Sequence, residues 1–218
     1  MKEMLREIRS PLFEGVSPED REAMLGCIGY HVTCFSKGDI VALEGETLNH
    51  IGILLEGTVD MVKEDLWGNK TLLVRMGKGE MFGESFACGS DNLSVVTFLV
   101  SEDARILFLH FERVMRSCTM ACAFHQRLIE NMLRIIADKN RDLMRKVEVI
   151  SKRTIREKLL AYLSIQAQSR NTRYFEIPLG RVELAEYLCV DRSALTRELV
   201  KMKEEGLLDY DRNCFRMR

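Results

Sequence analysis

The sequence predicts an α+β protein: an N-terminal antiparallel β-roll (a double-stranded β-helix), then a long helix, then a C-terminal winged helix-turn-helix. Three observations predict it, namely short β-branched segments between turn residues, a long apolar stripe of helical period, and a helix-turn-helix pattern near the C-terminus. With 218 residues, 46% of them hydrophobic, the chain can bury the cores of two unequal domains. The predicted limits are 1–117 for the β-roll, 118–150 for the long helix and 151–218 for the winged domain.

A short helix and a series of strands are predicted for the first half of the chain. Ser17 can cap a helix that begins at Pro18 and extends to about Leu25, because serine is a favoured cap and proline suits the first helical turn. From Tyr30 to Leu109, short β-branched and apolar segments alternate with glycine-containing turns. This pattern is typical of a β-roll or a barrel.

A long helix follows the strands. No glycine or proline occurs between Phe111 and Pro178, so a helix of about 30 residues that ends near Ser151 is allowed. Such a helix in a small protein typically packs against a second copy, which predicts a homodimer, but it can also lie on its own β-domain. Its apolar residues recur at steps of three, four and seven: Ile129, Met132, Ile136, Leu143, Val147 and Ile150.

The segment 179–199 has the pattern of a helix, a tight turn and a second helix, preceded by a helix at 154–167 and a strand at 174–177. Asp191 can cap the second helix, and Cys189 lies in the turn, where we expect it to pack. Two short strands around a turn at 211–213 then predict the wing. The expected inward-facing residues are Leu184, Ala185, Leu188, Val190, Leu195 and Leu199.

Four residues at the start of the second helix are candidates for reading DNA: Arg192, Ser193, Thr196 and Arg197. Their spacing places them on one side of the N-terminal half of a helix, the part of a recognition helix that meets base edges in the major groove. Arginine matches the two acceptors of guanine, and hydroxyls can bond a base or a phosphate. Residues 151–218 carry 14 Lys/Arg against 10 Asp/Glu, an excess that suits double-stranded DNA. The open alternative is a helical hairpin with a solvated charged face.

Composition favours the cytoplasm and no membrane partner. The longest apolar runs fall far short of the ~18 residues of a membrane helix, and the N-terminus lacks the apolar core of a signal peptide. The 7 cysteines form an odd, scattered set, which predicts free thiols rather than a disulfide framework.

Catalysis and metal binding are not expected. The sequence contains no nucleophile elbow, P-loop or dinucleotide fingerprint. Its histidines, at positions 31, 50, 110 and 125, include no H-x-H pair and are far apart in the chain, so a metal-holding triad would be a coincidence. A cupin-like metalloenzyme is therefore only a remote alternative.

Over nearly its whole length the chain resembles the Crp/Fnr superfamily of bacterial transcription regulators. The resemblance rests on the opening at 12–19, the turns at 37–46, the strand and turn at 53–59, the cassette Gly79-Glu80-Met81-Phe82-Gly83-Glu84, and above all the helix-turn-helix at 183–197. It implies a cyclic-nucleotide-binding-like β-roll, a homodimer on a palindromic operator, and contact with RNA polymerase if the protein is an activator. Ser193 stands where the family usually has glutamate, so the preferred DNA sequence should differ from that of the cyclic-AMP regulators.

The resemblance also implies an effector pocket. In the cyclic-nucleotide branch, an arginine and a serine about ten residues after the cassette bind the cyclic phosphate; here Ser94 is present, but no arginine lies between Arg75 and Arg105. We therefore expect an unidentified small-molecule effector other than cyclic AMP, with a constitutive regulator whose pocket is vestigial as the alternative. The pocket residues by resemblance are Gly83, Glu84, Ser85, Ser94, Leu143 and Met144.

The cysteines raise a separate possibility, a thiol redox sensor. Cys88 directly follows the cassette region, and Cys118 and Cys122 are four residues apart, so that they could share a helical face; buried filler is the plainer interpretation of all three. No C-x-x-C motif occurs, and Cys27 and Cys34 are seven residues apart, so we expect no iron-sulfur cluster and no other cofactor.

Overall fold

The computed structural model describes residues 5–116 and 123–218, and these fall into two compact units that divide between Asp138 and Lys139. The units divide within the long helix. The predicted boundary at 117 and 118 falls outside the described residues, and the predicted domain limits stay a prediction.

The first unit opens with the capped helix that the sequence predicts. The Ser17 hydroxyl accepts a hydrogen bond from the backbone amide of Asp20 at 3.1 Å, and helix α1 spans Pro18–Ile28. It continues one turn past the predicted end at Leu25, because the chain stops being helical only at Gly29, whose φ of 77° suits a glycine C-terminus.

The strands of the first unit form one six-stranded antiparallel sheet. Its main path has the order β1-β6-β3-β4, while β2 pairs with β6 and β5 pairs with β3. This confirms the antiparallel β-rich unit predicted from the turn spacing. The strands are β1 Tyr30–Phe35, β2 Ile40–Ala42, β3 His50–Glu64, β4 Lys70–Met76, β5 Met81–Phe82 and β6 Thr97–His110.

The two faces of this sheet bury different cores. Successive side chains of a strand point to opposite faces. Ile51 and Leu107 therefore pack with α1 and the early part of the long helix, whereas Leu54 and Ile106 face the inside of the roll, where they meet Phe98. The inner face, with its aromatic residues, is the one that a small molecule could occupy.

The remaining helices of this unit are α2 Glu84–Ala87, α3 Phe111–Met115 and α4 Ala123–Ile150. Helix α4 confirms the long helix that ends near Ser151. Its early part lies on its own unit: Leu128 and Met132 are buried in the outer core, and the Asn131 amide donates to the Leu12 carbonyl oxygen at 3.0 Å. For this part of the helix, the alternative of packing on its own β-domain is correct.

The second unit is the predicted winged helix-turn-helix. The Thr154 hydroxyl and the Glu157 carboxylate form a reciprocal capping box that begins α5. The hairpin pairs with an earlier strand in the sheet order β7-β9-β8. The elements are α5 Ile155–Arg170, β7 Tyr174–Glu176, α6 Arg181–Tyr187, α7 Arg192–Glu204, β8 Leu208–Asp211 and β9 Cys214–Met217.

Arg156 fixes α5 against α7. Its guanidinium donates to Glu198 at 2.6 Å and to both carboxylate oxygens of Glu205 at 2.7 and 3.0 Å. The hydrogen bond from Arg156 lowers the pKa of the Glu205 carboxyl. The helix that carries the candidate DNA-reading residues is thereby tied to the helix behind it.

Candidate DNA-reading helix and effector cavity

Helix α7 begins at a strong cap. The Asp191 Oδ1 atom accepts hydrogen bonds from the amides of Ser193 and Ala194, both at 2.9 Å, and from the Ser193 hydroxyl at 2.6 Å. The Ser193 side chain, followed by the two amides, lowers the pKa of the Asp191 carboxyl. The cap fixes the first turn of the helix, where the candidate reading residues lie.

The four candidates lie together on the exposed side of α7, as the spacing predicts. Arg192, Ser193, Thr196 and Arg197 are all exposed. The predicted anchors on the other side are fully buried with the rest of the inner face. These confirmed core residues are Leu184, Ala185, Leu188, Leu195 and Leu199, with the partly buried Val190 packed against them.

The hydroxyls of the reading face are already engaged within the helix. Ser193 donates to Asp191, and the Thr196 hydroxyl donates to the Arg192 carbonyl oxygen at 2.9 Å. Neither the Arg192 nor the Arg197 guanidinium donates a hydrogen bond to another residue in the described part of the chain. The two guanidiniums are therefore the groups on this face that have hydrogen-bond donors available for a partner.

The turn before α7 differs from expectation at one residue. Cys189 is exposed, so the prediction that it packs is wrong. Its φ is 52°, in the left-handed region, because the chain must reverse there between α6 and α7. This backbone geometry turns the side chain of position 189 outward, while the Val190 amide donates to the Ala185 carbonyl oxygen at 3.0 Å to close the turn.

Arg181 holds the wing, a role that the sequence did not indicate. Its guanidinium lies 4.8 Å from the ring centre of Tyr210 and 5.2 Å from that of Phe215, and it donates to the Arg212 carbonyl oxygen at 2.8 Å. Arg181 thus connects the first residue of α6 with both strands and the tip of the hairpin. Only the pairing of the wing with the helix reveals this contact.

A cavity of about 270 Å³ opens into the roll of the first unit. Its wall depends on Gly52: a Cβ atom there would lie 2.4 Å from the Phe82 ring, so only glycine lets that ring cross β3. Gly83, with φ of 80°, then turns the chain away from β5. The lining residues are His31, Thr33, Phe35, Val41, Ala42, Thr47, Leu48, Asn49, His50, Phe82, Gly83, Phe98 and Phe108.

Of the six residues predicted for the pocket, Gly83 is the one that lines this cavity. Glu84 is buried at the start of α2, and Ser85 is exposed. The Ser94 hydroxyl is buried and donates to the Val96 carbonyl oxygen at 2.6 Å, so it closes a local turn. Leu143 and Met144 are exposed on the part of α4 that belongs to the second unit.

Three histidines that are far apart in the chain meet beside the cavity. The ring centres of His31 and His50 are 5.4 Å apart, and those of His50 and His110 are 5.0 Å apart. The sheet register explains this, because His50 pairs directly with His110 while His31 pairs with Phe108 on the same strand. Separation along the chain thus does not mean separation in space, although no group of three ligating residues in the described ranges has a geometry that could hold a metal.

Of the described cysteines, Cys214 is half-buried and the other four are exposed. Cys88 is a free, exposed cysteine after α2. Desolvation of its thiol and then the Glu84 carboxylate raise the pKa of Cys88, which reduces the reactive thiolate at neutral pH. Cys118 and Cys122 lie outside the described residues, so redox sensing stays a prediction.

A β-roll joined through a long helix to a winged helix-turn-helix defines a two-domain transcription regulator of the Crp type. Comparison with protein families agrees: residues 32–119 match the cyclic nucleotide-binding domain, and residues 157–218 match the Crp-like helix-turn-helix domain. The chain belongs to the Crp/Fnr family of transcription regulators. In the described residues, no helix is long and apolar enough to cross a bilayer.

Individual relatives resemble the chain over most of its length. The cyclic AMP receptor protein of Thermus thermophilus is 24% identical over 203 residues, 91% of this chain and 88% of that protein. The crystal structure of the Thermus thermophilus catabolite activator protein has a TM-score of 0.52 at 22% identity and covers 96% of this chain and 94% of its own. The c-di-GMP responsive regulator CLP of Xanthomonas campestris has a TM-score of 0.59 at 17% identity, with 90% and 96% covered. At these identities the structures support the fold alone.

Proposed function

We propose that this protein is a cytoplasmic, homodimeric regulator that binds a palindromic DNA operator through α7 and is controlled by an effector other than cyclic AMP in the roll cavity. The observation that carries the DNA-reading assignment is the exposed pair Arg192 and Arg197 on a helix that is capped at its N-terminus and buried on its opposite side. Such a helix presents its N-terminal residues to base edges in the major groove. If the protein is an activator, contact with RNA polymerase follows from the same assignment.

The sequence of α4 supports the dimer. Leu133, Ala137, Asn140, Met144 and Val147 follow one another at alternating steps of four and three residues, the spacing of a coiled-coil seam, and all five are exposed. The stripe predicted from the sequence is only partly this one, because Met132 packs inside its own unit. An exposed apolar seam on a helix of 28 residues is explained by a second copy.

The chemistry of the cavity supports an effector other than cyclic AMP. Among the described lining residues there is no arginine or lysine, so a buried cyclic phosphate would lack a permanent positive partner. The same lining holds two histidines, two threonines and an asparagine. A vestigial pocket filled by apolar side chains would not keep an open, partly polar cavity, which favours control by a ligand.

Selection of bound duplexes from a random DNA pool tests the reading helix. The purified, reduced protein should enrich a palindrome whose half-sites lie about one helical turn, ~34 Å, apart. The selection is repeated with cyclic AMP and after mild oxidation. Enrichment that requires cyclic AMP would overturn the effector assignment, enrichment that requires oxidation would favour the thiol sensor, and absence of enrichment under every condition would contradict DNA reading.

Substitution of the two arginines identifies what each one reads. Arg192→Ala and Arg197→Ala should each weaken binding to the selected duplex by about 1–3 kcal/mol and relax one base position. Arg173→Ala is the matched control, because Arg173 is exposed in the same unit but precedes β7. Equal weakening on all sequences would assign the arginine to a phosphate instead.

The dimer is tested by mass. Sedimentation equilibrium should give twice the chain mass for the native protein and a lower mass for Met144→Glu, which places a charge in the seam. Arg145→Glu, an exposed change at the next position, should keep the dimer. A monomer in the native protein, or equal behaviour of the two variants, contradicts the seam.

A further inference from the structure

The three-histidine cluster is the feature of the first unit that neither the reading helix nor the dimer seam uses. His31 stacks on Phe108 with ring centres 5.0 Å apart, His50 meets both His31 and His110 edge to face, and the His110 Nδ1 atom is buried without a hydrogen-bond partner in the described residues. Buried polar atoms are normally paired, so an unpaired imidazole nitrogen calls for a partner of its own. His31 and His50 also line the cavity.

We propose that the roll cavity binds a small aromatic carboxylate and that a proton binds with it. His50, beside His31 and His110, accepts this proton. This inference rests on the proposed function, in which the cavity is the effector site. It adds the chemical class of the effector and the linkage of binding to pH.

The walls of the cavity define the aromatic part of the ligand. The rings of Phe82 and Phe98 lie 5.2 Å apart, and the Phe108 ring lies 6.5 Å from Phe82 in an edge-on arrangement. A flat ring gains contact area and favourable edge and face interactions with such walls. The volume of about 270 Å³ lies below the usual range of drug-sized pockets, which limits the ligand to one or two fused rings.

The imidazoles define the acidic part. Desolvation, then the neighbouring His110 and His31, lowers the pKa of His50, so the His50 imidazole is neutral at neutral pH. A carboxylate beside His50 favours the protonated imidazole and raises its pKa, so a proton binds together with the anion. The ionisable groups that act on His50 are His110 from β6 and His31 from β1. The buried Glu84 on α2 directly follows the lining residue Gly83 in the chain.

Neutral donors complete the site. Thr33, Thr47 and Asn49 line the same cavity as His31 and His50. Hydroxyl and amide groups can donate to a carboxylate oxygen while the histidine supplies the charge. This mixture discriminates a carboxylate from an uncharged ring of the same shape.

Calorimetric titration of the full-length protein tests the class of ligand. The probes are benzoate and 2-naphthoate, with benzamide as the neutral analogue and cyclic AMP and Zn²⁺ as competing classes, each at pH 5.5 and pH 7.5. The carboxylates should bind more tightly at pH 5.5. The affinity should change by up to about tenfold for each pH unit that lies between the pKa of His50 in the free protein and its pKa in the complex. Repetition in two buffers of different ionisation enthalpy should show proton uptake on binding.

His50→Gln tests the proton acceptor, because glutamine keeps a polar side chain that cannot be protonated. It should abolish the proton uptake and the pH dependence of carboxylate binding. His125→Gln is the matched control, since His125 is buried against the Arg113 carbonyl oxygen and does not line the cavity. That variant should bind carboxylates as the native protein does.

Thermal unfolding gives a second readout, and its first part is measured without ligand and does not depend on the affinity of the probe. Because the folded-state pKa of His50 is lowered, the unfolded chain takes up a proton first as the pH falls below about 6.5, and the first unit loses stability there. The loss should be smaller in His50→Gln. Benzoate should restore more stability at pH 5.5 than at pH 7.5.

Several outcomes overturn the inference. They are binding of neither carboxylate at either pH, equal binding of benzoate and benzamide, binding without proton uptake, pH-dependent binding that survives in His50→Gln, and tight binding of cyclic AMP or Zn²⁺ in place of the carboxylates. Duplex selection is independent of this titration. A protein that selects DNA but binds no carboxylate loses this inference alone, whereas one that binds carboxylate but no DNA loses the proposed regulator function.

Discussion

The two candidate sites of this protein are built in opposite ways. The reading face of α7 takes its residues from one helix, between 192 and 197, and leaves all of them exposed. The cavity takes its lining from residues between 31 and 108, on several strands and turns, and buries or half-buries most of them. A local site follows from helix periodicity, whereas a dispersed site follows only from the register of a sheet.

The two units also differ in the side chains that supply positive charge to their sites. All 4 histidines of the chain precede the second unit, which therefore contains none. The reading face relies on arginines, whose charge is permanent, and the cavity relies on imidazoles, which can gain a proton on moderate acidification. Moderate acidification should thus act on the first unit and leave the charge of the reading face unaltered.

The largest effect is expected from the buried side of the reading helix. Leu199 is 0% exposed, so Leu199→Ala should lower the free energy of unfolding by about 2–5 kcal/mol through lost burial and the cavity left behind. Val200, the next residue, is 43% exposed, and Val200→Ala should change stability by less than about 0.5 kcal/mol. Urea unfolding followed by circular dichroism measures both. Similar losses in the two variants would break the distinction between the exposed and buried sides of α7.

Features that depend on near neighbours in the chain are the ones that the sequence predicts correctly. The capped helix at Ser17, the helix from 154, the turn with Val190 and the anchors Leu195 and Leu199 each depend on neighbours within a few residues, and the structure has them all. Side chains separated by three or four positions in a helix must share a face, so the pattern alone determined their arrangement.

The cavity could not be predicted in this way. His31, His50 and His110 meet because β6 lies between β1 and β3, a pairing that the composition of the strands does not fix. The prediction of Ser94 and Glu84 rests on resemblance, which transfers positions but not the directions of side chains. The histidines would have been found by the alternation of His31, Thr33 and Phe35 on one strand, had the partner strand and its register been known.

A smaller effect is expected at the contact that joins the wing to α6. Arg181→Met keeps an unbranched apolar side chain but removes the hydrogen bond to the Arg212 carbonyl oxygen and the two cation–π contacts. We expect a loss of about 1–2 kcal/mol in stability and weaker binding to the selected duplex. Arg173→Met, at an exposed position of the same unit, should alter stability by no more than about 0.5 kcal/mol. If the first variant binds DNA as tightly as the native protein does, the wing does not contribute to the reading face.

The smallest effect is expected from a cysteine-to-glycine substitution, made once in each unit. Cys189 and Cys27 are both exposed and free, but Cys189 has a φ of 52° in the turn before α7, whereas Cys27 lies inside α1. Cys189→Gly should raise the free energy of unfolding by about 0.5–1 kcal/mol, because glycine adopts the left-handed conformation without a Cβ clash.

Cys27→Gly should instead lower the free energy of unfolding by about 0.3 kcal/mol, since glycine is a poorer helix former than cysteine. Unfolding in reducing buffer measures both variants against the native protein. The same atoms are removed in each case, so opposite signs isolate the backbone as the cause, and equal signs would show that the cysteine side chains make contacts that their exposure does not reveal. Because Cys189→Gly preserves the turn that positions Asp191, it should also leave binding to the selected duplex unchanged.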